Sequence, residues 1–259
     1  MALTPNELEQ LRKAKALLEN PSLAARVTDV IGKPLEKAMN LLPRQAAETV
    51  HLTVNKALQR ALGVALSTSG SGPTAFSRDR WHKLAGATSG AMGGFFGVAG
   101  LTVELPVTTV IMLRSIGDIA RSEGHDLADS ATRLACLEVF ALGGTASSDD
   151  AAETGYYAVR AAMASLISDA VQHVAARGAA ARGTPVLVRL VDKIATRFGL
   201  VVQEKVALEL FPVVGAASGA LINTLFMDHF QNAARGHFIV RRLEKAHGVE
   251  EVRTAYLAL

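Results

Sequence analysis

Cysteine is almost absent from this chain: Cys136 is the single one among 259 residues. That rules out an intramolecular disulfide and any CxxC redox or zinc-ribbon site. Aromatic residues are sparse at 5%, so a core has to be assembled from Ala, Leu, Val and Gly, the material of close-packed helices. Alternation of apolar and polar residues, the mark of half-buried strands, is scarce as well. Neither sign of charge dominates, since 27 basic and 24 acidic residues leave only +3, which makes no case for nucleic acid. The opening segment MALTPNELEQLRKAKALLENP is charged and amphipathic. It lacks the apolar stretch of a secretory signal, so a cytoplasmic location is expected.

Catalytic signatures are missing too. The chain has no HExxH, GxSxG, GxxxxGK[ST] or GxGxxG pattern, which removes the commonest zinc-protease, hydrolase and nucleotide-binding mechanisms from the linear record. The seven histidines are scattered. His125-Asp126 matches a metal-dependent phosphohydrolase dipeptide, but no further ligands follow at recognisable spacing, and a turn followed by a helix cap explains it better. No metal and no cofactor are expected.

What the chain does have is glycine in apolar surroundings. From Leu84 to Val103 there are 20 residues without a charge, and from Leu210 to Met227 there are 18. Gly86, Gly90 and Gly94 fall four apart, Gly93 and Gly97 repeat the interval, and Gly215 and Gly219 repeat it again. On a helix this spacing lines one face with hydrogen atoms and lets backbones approach closely. Glycine weakens a helix relative to alanine, so such a run is expected where close packing or membrane burial compensates.

Around these runs the chain reads as helix after helix. Thr4-Pro5-x-Glu7 has the form of an N-cap, first-turn proline and capping box, opening a helix that Asn20-Pro21 ends. A second amphipathic helix is expected from about Arg44 to Leu66, with Val50, Val54, Leu58 and Leu62 on its apolar stripe. STSGSGP, Ser67 to Pro73, reads as a linker. A break or bend is expected near Glu104-Leu105-Pro106, a stop at Gly124, a new start at Asp126 to Asp129, and an end at Gly143-Gly144. Thr184-Pro185 opens a further helix. The expected fold is an all-α multi-helix bundle with two glycine-rich, tightly packed apolar helical hairpin segments. Its expected divisions are an N-terminal helical segment (1–66), a linker and start of the core (67–80), a helical core (81–247) and a C-terminal tail (248–259).

Glu104-Leu105-Pro106 after the glycine-rich segment, Leu113-Arg114, and the abrupt Gly124-His125-Asp126 turn together resemble the EcsC family. Phe211-Pro212-Val213-Val214-Gly215, then Gly219, Asn223 and a helix with Arg241-Arg242, add to the resemblance, which spans roughly Trp81 to Leu243. Glu123 and Thr224 stand where the family usually carries aromatic residues. The family is named for a bacterial protein encoded beside an ABC transporter. Some relatives carry a peptidase-like label, and the resemblance implies no established activity and supplies no catalytic residues.

Both apolar runs are long enough to enter a bilayer, and both could equally form a buried helical pair. Gly86, Gly90, Gly94, Gly97, Gly215 and Gly219 are the expected close-packing positions. Glu104, Arg114 and Asn223 are the candidate polar site within this apolar setting. The alternative places Glu104 at a membrane surface or as a helix cap, with Arg114 pairing Asp118. The C-terminal helix sets Phe226, Phe230 and Phe238 among Arg235, His237, Arg241, Arg242 and Lys245. Arg235, Arg241, Arg242 and Lys245 are the candidate face for an anionic membrane or a partner, unless the helix simply docks on the bundle. The expected partner is the inner-membrane lipid surface or a membrane protein such as a transporter, at the cytoplasmic side. The alternatives are a soluble, peptidase-like hydrolase using Glu104, Arg114 and a histidine, and a bundle that binds lipid or another hydrophobe.

Overall fold

Thr4 closes the capping box expected of it. Its hydroxyl accepts from the Glu7 N–H at 3.3 Å, and the Glu7 carboxylate accepts from the Thr4 N–H at 2.8 Å. This fixes the start of α1, Pro5–Leu18. The computed structural model describes residues 3–19, 44–67, 97–143, 155–209 and 216–259. Within them the helices that follow α1 are α2 (Arg44–Ser67), α3 (Gly97–Ser122), α4 (Ser130–Leu142), α5 (Tyr156–Arg177), α6 (Pro185–Glu209), α7 (Ala216–His247) and α8 (Val249–Ala258). A 3-10 turn, Gly178–Ala181, joins α5 to α6, and the described residues contain no strand. The all-α expectation is met.

The centre of the bundle is α4. Nine of its 13 residues are buried, from Thr132 through Leu134 to Ala141, so it has no solvent face and α2, α3, α5, α6 and α7 all pack on it. A helix apolar all round is stable only as the middle of something. Asp129 caps it by accepting from the N–H groups of Ala131 and Thr132. Gly143 follows its last turn, as the sequence indicates. Phe140 stacks against Phe198 of α6 and Phe230 of α7, with ring centroids 4.9 and 5.5 Å apart. The expected stripe of α2 (Val50, Val54, Leu58, Leu62) is buried in this main core.

A smaller core lies at the C-terminal end of α7, where Leu11 and Ala14 of α1, Tyr156 of α5, Ile239, Val240 and Leu243 of α7, and Val252 and Tyr256 of α8 meet. Residues 248–259, set apart in the sequence as a tail, therefore include a packed helix. Two further expectations change. No break occurs at Pro106, because α3 runs through it as one helix of 26 residues; a proline removes one hydrogen bond there without ending the helix. Phe226, Phe230 and Phe238 point inward and are fully buried, so α7 docks on the bundle through its aromatic face.

The expected packing positions Gly86, Gly90, Gly94 and Gly215 lie outside the described residues, and Gly97 and Gly219 fall in the first turns of α3 and α7. The close approaches that can be measured involve two other glycines. A Cβ on Gly143 would come within 2.5 Å of the Phe230 ring, and one on Gly236 within 2.6 Å of Leu18 and 2.9 Å of the Ala14 carbonyl. Gly236 is thus where α1 lies directly on α7. Alanine in mid-helix ordinarily stabilises by up to about 1 kcal/mol over glycine. Here overpacking against backbone reverses the sign, and Gly236→Ala is expected to lower stability by about 1–3 kcal/mol in urea denaturation. An unchanged or higher midpoint would show that α1 does not pack there.

Candidate functional site

Two polar centres interrupt the apolar packing. The first is built on Lys205, in the C-terminal half of α6. Its side chain is 1% exposed, and its ammonium donates to Glu104 of α3 and to Glu209 one turn on, each at 2.9 Å. The Phe226 ring of α7 lies beneath it, 5.5 Å from Nζ to centroid. Burial alone would strip the proton from a lysine, yet the two carboxylates outweigh it and hold the Lys205 ammonium charged, above its ordinary range. Burial pushes the Glu209 carboxyl up, with Lys205 opposing. The centre holds two carboxylates against one ammonium, so no spare cation and no neutral amine remains for nucleophilic chemistry.

The sequence brought Glu104, Arg114 and Asn223 forward as one site, and the structure sets Glu104 and Arg114 apart. Glu104 belongs to Lys205. Arg114 is ten residues further along an unbroken helix, about 15 Å along its axis, and is half-buried there. Asp118 pairs with Arg121 at 2.8 Å. Asn223 is half-buried on α7, one turn before Phe226. Lys205 itself went unnoticed in the sequence. A lone lysine among Val201, Val202, Val206 and Ala207 on a buried helical face was the signal that could have found it.

The second centre joins α4, α5 and α7. Arg160 grips Glu244 with both arms, at 2.6 and 3.0 Å, and donates to the Tyr156 hydroxyl at 3.2 Å. The Tyr157 hydroxyl donates to Glu244 at 3.1 Å. Tyr156, receiving from Arg160, passes its own proton toward His237 Nδ1 at 3.0 Å. Nδ1 thereby accepts, and Nε2–H of the neutral ring faces Glu138 of α4 at 3.7 Å, beyond hydrogen-bonding distance. Burial holds His237 well below its usual range and pushes the Glu138 carboxyl up. The pair is therefore a neutral imidazole beside a carboxyl that favours its proton, rather than a salt bridge. All three tyrosines of the chain meet here, with Tyr256 stacked 5.7 Å from Tyr156 and 5.1 Å from Tyr157. With His237, Glu138, Tyr156 and Glu244 all at least nine-tenths buried, the constellation is a joint in the core.

The remaining candidates are spent on structure or face solvent. His125 Nε2–H donates to the Phe238 carbonyl at 3.1 Å, and His229 does the same to Gly143 at 2.6 Å, so the dipeptide at His125-Asp126 ties a turn to α7. Of the candidate basic face, Arg242 is taken by Glu123 at 3.0 Å and by Gln10 at 3.0 Å. Glu123, the departure from the family's aromatic, thus has an ionic job. Arg241 is half-buried, while Arg235 and Lys245 are exposed, Arg235 bonding Asn232 on its own helix. Burial raises the Cys136 thiol to about 12 and leaves it inert. Among the described residues no helix is long and apolar enough to cross a membrane.

The family profile of the EcsC protein family matches residues 5–243. The chain is a member of that family. The match reaches well upstream of Trp81, so in this EcsC-family chain α1 and α2 belong to the family core along with the helices that carry the motifs. Comparisons with curated proteins and with solved structures give no significant match.

Two outcomes follow for the polar centres. Lys205→Met leaves two carboxylates without their cation in an apolar setting, and a loss of about 3–5 kcal/mol is expected in denaturant titration. A variant as stable as the parent would mean that the ammonium is not buried between them. For His237, the unfolded chain takes up a proton below about pH 6.5 while the folded one resists. Stability is therefore fully present above pH 6.5 and falls on acidification toward pH 5. His237→Gln is expected to flatten that part of the pH profile in thermal melts, and an unaltered slope would remove His237 from it.

Proposed function

We propose that this EcsC-family chain is a membrane-associated, non-catalytic accessory protein for a transport or envelope process, held at the inner face of the cell membrane. One observation carries the reading. Glu104 is the residue that ends the first charge-free run, Glu209 is the residue that precedes the second, and both sit on the same ammonium of Lys205. The residues that bound the two runs are therefore fastened together at one point. From Ala216 the second run lies in α7, with Ile222 and Phe226 buried in the main core, which leaves the first run as the one offered to a bilayer. A glycine-bearing segment there must satisfy its backbone polar groups within itself or against protein. Val103, the last residue of the first run, is 72% exposed, an apolar side chain presented at that same end.

A non-catalytic role is supported by what the ionisable groups do. Lys205 is held between Glu104 and Glu209, and Arg160, Glu244, Tyr156 and His237 are engaged inside the core. A hydrolase resting on Glu104 and Arg114 together loses its basis in the spacing along α3. Lipid, or a membrane protein such as a transporter, is the partner that the first run suits, and the inner face of the membrane is the side proposed for the attachment.

Fractionation of cells making the full chain tests this. The protein is expected in the membrane pellet after washes with high salt and with alkaline carbonate. Recovery as a monodisperse species in the unwashed supernatant would overturn the reading. Lipid co-purifying with such a soluble form would turn the runs into the lining of a hydrophobe-binding bundle.

A further inference from the structure

A groove of about 630 Å³ opens where the C-terminal half of α2 meets α3 and the turn before α6. Its lining includes Lys56, Arg60, Val64 and Ser67 of α2, Val110 of α3 and Arg182. Three cations thus surround an apolar floor, and among the described residues no acidic one lines the cavity. We infer that this groove is a site for the phosphate-bearing headgroup of an anionic phospholipid. The inference rests on the membrane-contact reading and adds to it the chemistry of the lipid and the residues that hold it.

Two of the three charges, those of Lys56 and Arg60, have no structural use among the described residues that accounts for them. Lys56 and Arg60 are four apart on one helix, so they repel across one turn and weaken α2 by a few tenths of a kcal/mol. Both are exposed, and no carboxylate pairs with either among the described residues. Basic residues do favour helix C-termini, but that effect fades beyond the last turn. Arg60 is seven residues and Lys56 eleven before the end of α2. Arg182 does meet that end. It donates to the Gly63 carbonyl and lies over Gly63, 3.5 Å from where a Cβ would stand. A guanidinium has five N–H groups, so this contact fixes its position on the groove wall and leaves N–H groups over for a ligand. The repulsion among the three is relieved when an anion lies between them, and Val64 and Val110 provide apolar contact for the glycerol and upper acyl carbons beside it.

Position supports a headgroup over a free anion. Val110 is six residues beyond Glu104 on α3, about 9 Å along the axis, so the groove lies that far behind the end of the first charge-free run. The headgroup layer of one leaflet is about 5–8 Å thick. Long cationic side chains set back by this distance reach that layer when the first run occupies the acyl region.

Flotation of the full-length protein with phosphatidylglycerol vesicles and with phosphatidylcholine vesicles tests the site. The unaltered protein is expected to prefer the anionic vesicles, and the double variant Lys56→Glu, Arg60→Glu to lose on the order of tenfold or more of that affinity. Arg235→Glu, on the exposed face of α7, is expected to keep it. Both changed α2 positions are exposed, and an unaltered thermal melt establishes that the double variant is folded. Equal binding by the folded double variant would overturn the groove while leaving membrane association intact. Failure of the unaltered protein to float with either vesicle would overturn the membrane reading and the headgroup with it. Inorganic phosphate or RNA displacing the protein from vesicles through Lys56 and Arg60 at comparable affinity would assign the groove to that ligand and overturn the lipid assignment.

Discussion

The structure depends on a helix with no way out. Because α4 is surrounded on every side, each of its neighbours is placed by contact with it, and its own composition decides what those neighbours must offer. Thirteen residues long and carrying Phe140, Leu134 and Val139 into the main core, it anchors the aromatic stack of α6 and α7. It also carries Glu138 into the interior. A carboxylate there would be prohibitive unless paired, and the surroundings answer with a neutral imidazole and a shift toward the protonated acid. Tyr156, Arg160 and Glu244 then complete a network that spans the main and the smaller core. The network beside this buried acid thus lies at the junction of three helices.

Lys205 solves a related problem by the opposite means. There the charge is kept, and two carboxylates are brought to it from α3 and from its own helix. The cost of burying an ion pair usually cancels much of its attraction, so the value of such a centre lies in where it fixes things. It fixes the bases of the two apolar runs. The two polar centres therefore divide the work: one closes the body of the bundle, and the other ties α3 to α6 at the residues that bound the two charge-free runs.

Much of the fold was legible because local rules and tertiary demands agree. The Thr4 capping box, the Asp129 cap, the stop at Gly124 (φ +81°) and the apolar stripe of α2 are decided by residues within a turn or two of one another. Pro106 misled because a proline's local penalty is smaller than what α3 gains by packing against α2, α4 and α7 as one helix. Glu104 was recognised as costly, but its partner lies 101 residues away, and spacing along a chain carries no information about such a meeting. The aromatic and basic residues of α7 were read as one face. Their separation into a buried aromatic side and a partly paired basic side depends on α1 and the Glu123 turn, which only the folded chain brings near. Gly143 was read only as a helix end and Gly236 not at all, for the same reason: neither belongs to a repeat, and what crowds each is a phenylalanine ring or a backbone from elsewhere.

The single thiol acquires a use from its place on α4. Cys136 is 3% exposed and enclosed by five helices, so fraying of α1 or α8 does not uncover it. Local openings of a protein occur at free energies well below that of complete unfolding, and most chemical probes report a mixture of the two. This sulfur is silent to the minor openings. The rate at which a thiol reagent modifies the otherwise intact protein is therefore a clock for dismantling the bundle as a whole, written into the chain without any engineered label.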